Sequence, residues 1–422
     1  MKDVFNAVKV ADRVYWVGAI DWDIRDFHGY RTSRGTTYNA FLILADKITL
    51  IDAVKASFTD EMLGRIGSVI DPSAIDYIVS NHSELDHSGG LPEAIRVIEP
   101  EKVFASSNGV KTLAAHFHDG MEVTAVEEGR DLSLGNMGLS FVEMRMCHWP
   151  DSMATYLHEG QVLFSQDVFG MHMASSARFA DEIDKDTLRW EAAKYYANIL
   201  TPLSPFVRQT LMKIRDLGLK FRMIAPDHGP LWRRDEDMRG IVHGYALWAA
   251  QKKAYKVAIV YDTMWGSTAT MARAICEGLV AAGVTVRLMS MDACHRSDMA
   301  TELLDSAALL VGSPTFNSTL YPTVADAMSY LKGLKPQNLV AAAFGSFGWS
   351  GEAPKELHAA LVKMGAEMIA KPVRVKYVPD AEALGKCREL GTAVAEALQK
   401  KIRSPNEEEQ EADEKAPQEV SE

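Results

Sequence analysis

Cysteine is scarce and scattered: the 422 residues include four, Cys147, Cys276, Cys294 and Cys387, and no two form a CxxC pair. That spacing excludes a zinc ribbon or any four-thiolate iron knuckle, which need thiolates close in sequence. Scattered thiols fit a reducing compartment better than a disulfide framework. Long apolar runs are missing as well. No stretch approaches the ~20 residues needed to cross a bilayer, and Met1-Lys2-Asp3-Val4-Phe5 lacks the apolar core of a secretory leader. A cytoplasmic protein with no membrane segment is expected. Basic residues are in deficit, 45 Lys and Arg against 57 Asp and Glu, for a net charge of −12. Much of that excess lies in 403–422, which is almost devoid of apolar side chains and reads as an acidic disordered tail. The mildly acidic remainder argues against nucleic acid as a partner. GxxxxGK and GxGxxG are both absent, which excludes a P-loop triphosphatase and a dinucleotide-binding turn.

What is present divides into two halves. Length predicts two or three domains, and 47% hydrophobic content is ample for their cores. Residues 1–250 carry short strand-like runs at 14–17, 38–44, 48–52, 77–80, 139–144, 154–157 and 162–165, with helical patterns at 59–69 and 91–98. The mixture suggests two sheets with helices outside. Residues 255–402 instead alternate strictly: strands at 256–261, 284–290, 307–312, 338–345 and 368–375, with helices at 269–282, 323–334, 354–364 and 381–401. Buried strands alternating with helices predict a doubly wound parallel sheet whose ligands sit beyond the strands' carboxyl ends.

The densest chemistry follows the run 75–79. Asn81-His82-Ser83-Glu84-Leu85-Asp86-His87-Ser88-Gly89-Gly90 holds two imidazoles and two further carboxylates within six residues. Without a cation such groups would repel or stay protonated. Glu84 makes the set harder than an all-histidine one and tilts it from zinc toward iron or manganese. Partners are expected at later strand ends: His148 after 141–147, Asp167 after 162–166, and His228 after 223–227. Asp167 suits a bridge, since a carboxylate can give one oxygen to each of two ions. Asp227 is placed to accept a ring N–H from His228, and Cys147 to point away as packing. A lone strand-end histidine is more often structural, and His116, His118, His158, His243, His295 and His358 are read so. Read alone, the cluster supports hydrolysis almost as well as redox chemistry.

The second half offers three loops. Thr263-Met264-Trp265-Gly266-Ser267-Thr268 opens into a helix, where hydroxyls and free N–H groups form a phosphate cradle without lysine. Ser313-Pro314-Thr315-Phe316-Asn317-Ser318-Thr319-Leu320-Tyr321-Pro322 follows the third strand, and Ser346-Phe347-Gly348-Trp349-Ser350-Gly351 the fourth. Both supply aromatics for a planar ring.

His-x-Glu-x-Asp-His followed by single His, Asp and His resembles the metallo-β-lactamase fold, an αβ/βα sandwich, in its flavodiiron form. The three loops resemble flavodoxin. Together, over about residues 1–400, they mark a resemblance to A-type flavodiiron proteins. That resemblance implies two non-haem irons, one held by His82, Glu84 and His148 and the other by Asp86, His87 and His228, with Asp167 bridging. It implies FMN, with Trp349 the leading ring contact and Phe316 and Tyr321 further ones, and His28 and His172 as pocket residues that assist Glu84 and Asp167 in catalysis. It also implies electrons from rubredoxin, O2 or NO as substrate, and a head-to-tail homodimer or a dimer of dimers. The rival reading is a zinc-dependent hydrolase with an appended flavodoxin-like domain.

Overall fold

The structure, a computed structural model, describes residues 5–118 and 120–414, with side chains through residue 402. It divides into two compact units, Met1–Ala250 and Gln251–Glu422. Among the described residues no helix is long and apolar enough to cross a membrane.

The first unit packs two sheets face to face. One has seven strands in the order Val8–Ala11, Val14–Trp16, Phe41–Ile43, Thr49–Ile51, Tyr77–Ser80, Lys102–Ala105 and Val123–Ala125. The other has five, Leu132–Ser133, Gly138–Glu143, Met153–Leu157, Val162–Gln166 and Met223–Pro226. Strand side chains alternate in direction, and both faces of the larger sheet are covered. Phe41, Ile43, Ile51, Val79 and Phe104 meet Phe141, Leu157, Val162 and Phe164 of the second sheet. Their neighbours Leu42, Leu50, Ile78 and Val103 pack instead with Met62, Ile66, Leu91 and Leu113 of outer helices. These near-continuous apolar runs therefore reflect two-sided burial.

The single strand expected at 38–44 is two strands in different sheets. Thr36–Tyr38 pairs with Ala19–Asp21, and Phe41–Ile43 joins the large sheet. The break comes at Asn39, a buried polar residue whose hydrogen bonds leave the ladder.

The second unit is a parallel sheet in the order Thr285–Ser290, Ala254–Tyr261, Ser306–Gly312, Val340–Phe347 and Glu367–Met368, with Val373–Lys376 also pairing to Val340–Phe347. This 2-1-3-4-5 order puts a switch point between the carboxyl ends of Ala254–Tyr261 and Ser306–Gly312. The helix Arg296–Leu303 has no counterpart in the sequence reading, because its face is mixed in polarity. The last helix runs Ala381–Glu414. It continues into the stretch expected to be a disordered tail, where Glu, Gln and Ala all favour helix. Residues 415–422 of that expected tail lie outside the described residues.

Candidate metal centre and flavin edge

Four chain segments, each following a strand, deliver seven candidate ligand side chains to one place. His82 and Glu84 leave Tyr77–Ser80, Asp86 and His87 lie in the short helix Leu85–Ser88, and His148, Asp167 and His228 follow Gly138–Glu143, Val162–Gln166 and Met223–Pro226. The ligand atoms form two groups, His82, Glu84, His148 and Asp167 in one and Asp86, His87 and His228 in the other, each drawn within 4.8 Å.

Asp167 belongs to both. Its Oδ2 lies 3.3 Å from His82 Nε2 and 3.1 Å from His148 Nε2, while its Oδ1 lies 3.2 Å from His87 Nε2 and 3.5 Å from His228 Nε2. Glu84 Oε2 closes the first group at 2.9 Å from His148 Nε2 and 3.4 Å from His82 Nε2. Asp86 closes the second, Oδ2 at 3.2 Å from His228 Nε2 and Oδ1 at 3.5 Å from His87 Nε2. Adjacent ligands on a metal with bonds of about 2.1 Å sit roughly 3.0–3.4 Å apart, so these separations suit an ion in each group. His87 Nε2, both oxygens of Asp86 and Asp167 Oδ1 are buried with no hydrogen-bond partner. Buried, unsatisfied groups of this kind are what a cation would compensate.

Electrostatics points the same way. Burial alone would lower the His82 and His87 pKa values and raise those of Glu84, Asp86 and Asp167. Mutual attraction reverses both: His82 rises well above its usual value and His87 to about 10, while the three carboxyls fall. The site demands positive charge among its carboxylates, and in the absence of a metal the imidazoles must supply it as protons.

Behind the ligands, Asp151 Oδ1 lies 3.9 Å from His82 Nδ1, and His228 Nδ1 donates to Thr37 O at 2.6 Å. Asp227 does not serve His228 as expected. Its Oδ2 lies 3.6 Å from His87 Nδ1, because neighbouring residues leaving a strand face opposite ways. Burial, and then the nearby Asp52, push the Asp227 carboxyl well above the usual range. Cys147 turns away to Thr210, its Sγ 3.4 Å from Oγ1. Asp151, Thr37 and Asn39 escaped the sequence reading. The Thr-Thr-Tyr-Asn stretch at 36–39, polar yet beside a buried strand, was the one visible signal.

His28 and His172 differ sharply. His28 sits in the turn between Asp26–Phe27 and Tyr30–Arg31, with a side chain 78% exposed and Nε2 3.9 Å from Glu84 Oε1. His172 is buried, with Nδ1 2.9 Å from Thr36 Oγ1 and no partner at Nε2. Burial, and then the charge of His228, hold its pKa well below the usual value, so it is neutral. Its ring lies 4.9 Å from Phe27 and 5.3 Å from Tyr30. His116, His158 and His358 lie outside both ligand groups.

In the second unit the three loops meet at the carboxyl edge of the sheet. Gly266, at φ 84°, turns the first loop into Ser267–Ala281, whose N-terminus has no side-chain cap. An uncapped first turn presents N–H groups to an anion. Thr263 Oγ1 accepts from Gly266 N at 3.1 Å and shapes that turn. Thr268 and Ser346 do not present their hydroxyls outward; both are buried and bonded to each other at 2.9 Å, tying the first loop to the third. Thr315 N donates to Ser346 O at 2.9 Å, tying in the second. Asn317 lies in a tight turn where Phe316 and Thr319 exchange backbone hydrogen bonds, and Tyr321 N donates to Ser313 Oγ after Pro314. Phe316 and Tyr321 rings stand 5.7 Å apart. Met264, Trp265 and Trp349 project outward, Trp265 92% and Trp349 80% exposed. Phe347, Gly348, Ser350 and Gly351 form the third loop, where Arg374 donates to Ser350 O. A bound planar group would cover the two tryptophans, and an uncapped helix start fits a phosphate, so the edge suits FMN.

Comparison with known proteins agrees. A family model described as "ODP family beta lactamase" matches residues 36–229, and one described as "Flavodoxin" matches residues 259–391. Rubredoxin-oxygen oxidoreductase of Megalodesulfovibrio gigas is 45% identical over 399 residues, covering 94% of this chain and 99% of that protein. Nitric oxide reductase of Moorella thermoacetica is 43% identical over 392 residues, 92% of this chain and 98% of that one. The crystal structure of the flavodiiron protein from Giardia intestinalis superimposes with a TM-score of 0.90 at 32% identity, covering 93% of this chain and 97% of that one.

Proposed function

The chain belongs to the flavodiiron family, and on that premise we propose that it reduces O2 to water, NO to N2O, or both, with electrons passed from rubredoxin through FMN. The observation that carries this reading is the split of Asp167, one oxygen facing each ligand group. Two irons held there and served by FMN would supply one-electron chemistry toward a diatomic gas.

The chain's own residues do the rest. His82, Glu84 and His148 would hold one ion, Asp86, His87 and His228 the other, and Asp167 would contribute to both groups. Glu84 and His148 are the more exposed ligands, with side chains 14% and 18% accessible, so they mark the open side. His28 stands there in contact with solvent and within reach of Glu84, and it brings protons to that side. His172 is neutral and cannot donate as an imidazolium; with Thr36 it braces His228. Phe27 and Tyr30 pack on His172 and keep water from that flank. The hydrolase reading is set aside, because Glu84 hardens the ligand set and a flavin edge has no part in hydrolysis.

A cytoplasmic location belongs to the same reading, supported by four free cysteines. So does assembly as a head-to-tail homodimer or a dimer of dimers. The test is O2 and NO consumption in parallel under reduced rubredoxin. Consumption of at least one gas is expected; turnover with other reductants but never with rubredoxin removes the donor assignment.

A further inference from the structure

Asn39 is wholly buried, and every polar atom of its side chain is engaged. Oδ1 accepts from Trp16 Nε1 at 2.8 Å, and Nδ2 donates to Pro226 O at 2.7 Å and Gly229 O at 3.0 Å. Its backbone N–H donates to Asp227 O at 2.7 Å. Three bonds from one residue therefore span the turn 226–229, whose third member is His228.

The geometry points to Asn39 as the residue that positions the second metal subset. It fixes where His228 Nε2 stands relative to Asp86 and Asp167, and so whether the chain retains a second ion. This inference rests on the dimetal reading above, but not on which gas is reduced.

The strand Thr36–Tyr38 that precedes it acts with it. Thr37 O accepts from His228 Nδ1 at 2.6 Å, and Thr37 Oγ1 accepts from Gly229 N at 2.7 Å. The strand is itself held from behind. A Cβ at Gly18 would lie 2.1 Å from Tyr38 O, so only glycine lets the two segments approach. Trp16 lies beneath two guanidinium groups, Arg65 at 4.7 Å and Arg178 at 4.3 Å from its ring, which fixes the direction of the indole N–H. Trp16 orients Asn39, and Asn39 orients the His228 turn.

The chemistry requires an amide. Aspartate has the same shape but cannot donate to two carbonyl oxygens, and would set acceptor against acceptor. A purely structural role would cost stability without selecting one metal. A positioning role predicts selective loss, and residues behind metal ligands typically change affinity by about 10–100-fold.

The test uses the full chain loaded anaerobically with Fe(II), reading iron per chain and the release of each iron to a chelator. Asn39→Asp should keep one iron and release the second at least about tenfold faster. Trp16→Phe, which removes the donor to Oδ1 together with part of a buried ring, should shift release in the same direction by less, and carries the test if Asn39→Asp does not fold. Leu139→Ala, a core truncation in Gly138–Glu143, should lower the melting temperature yet keep both irons. Wild-type release from both altered chains would overturn the inference, as would equal loss of iron in Leu139→Ala. A wild-type chain that binds two irons but consumes neither gas removes the proposed function and leaves this inference standing.

Discussion

Asp167 Oδ1 lies 3.2 Å from His87 Nε2, on the opposite side of the carboxylate from the oxygen that faces His82 and His148. One side chain thus joins two otherwise separate ligand sets. Asp167→Ala should leave each set with three ligands and no link. We expect iron content to fall below two per chain and gas reduction to drop by at least about a hundredfold, a loss of roughly 2.7 kcal/mol in transition-state stabilisation. Iron analysis with steady-state rates checks this; two tightly held irons and normal rates would contradict it.

On the proposed reading, Glu84 is the residue that sets metal preference. Its Oε2 stands 2.9 Å from His148 Nε2 and is the hard donor of its group beside Asp167. Glu84→His makes the group softer and more basic. Reconstitution with equimolar Fe(II) and Zn(II) should then yield a higher zinc-to-iron ratio than in the wild type. An unchanged ratio would show that selectivity comes from elsewhere.

Trp349 is 80% exposed at the flavin edge. An aromatic stacked on a ring contributes about 0.5–1.5 kcal/mol beyond the area it covers. Trp349→Ala should weaken FMN binding up to roughly tenfold, read by fluorescence titration of the apoprotein, with iron content unchanged. Equal FMN affinity would remove Trp349 from the site.

Lys253 gives a pH signature to the second unit. It donates to Leu303 O and Leu304 O, and burial pulls its pKa down to about 8 from 10.5. Between those values the unfolded chain binds more protons than the folded one, so this lysine makes stability rise with pH across that window. Lys253→Met should abolish that rise. Urea unfolding followed by bound-FMN fluorescence at pH 8 and pH 10 compares the two increments, and equal increments would contradict the assignment.

The legibility of this chain varied with the range of the interactions involved. Tyr77–Ser80 and Leu91–Ile98 were readable to the residue, because a buried β-run and a helical apolar period are local signals. The alternating second half was readable for the same reason, except for the helix Arg296–Leu303 and the strand expected at 368–375, which is two, Glu367–Met368 and Val373–Lys376. Strands of two or three residues, such as Ala19–Asp21 and Leu132–Ser133, carry too few residues to show a period. The seven ligand positions stood out through their crowding at 82–87 and their places at strand ends. Asn39 did not, since its acceptors Pro226 O and Gly229 O lie 187 and 190 residues away. Asp227 was assigned to the wrong histidine because sequence adjacency to His228 says nothing about which ring it faces.

The most direct measurement of the central claim is a single turnover. The holoprotein, reduced anaerobically at FMN and iron, is mixed with O2 or NO while flavin reoxidation and product are followed, beside Asp167→Ala carrying the same FMN. Rapid flavin reoxidation with water or N2O as product, lost in Asp167→Ala, is the predicted result. Flavin that stays reduced under NO, and reoxidises under O2 to hydrogen peroxide at the same rate in both proteins, would contradict it.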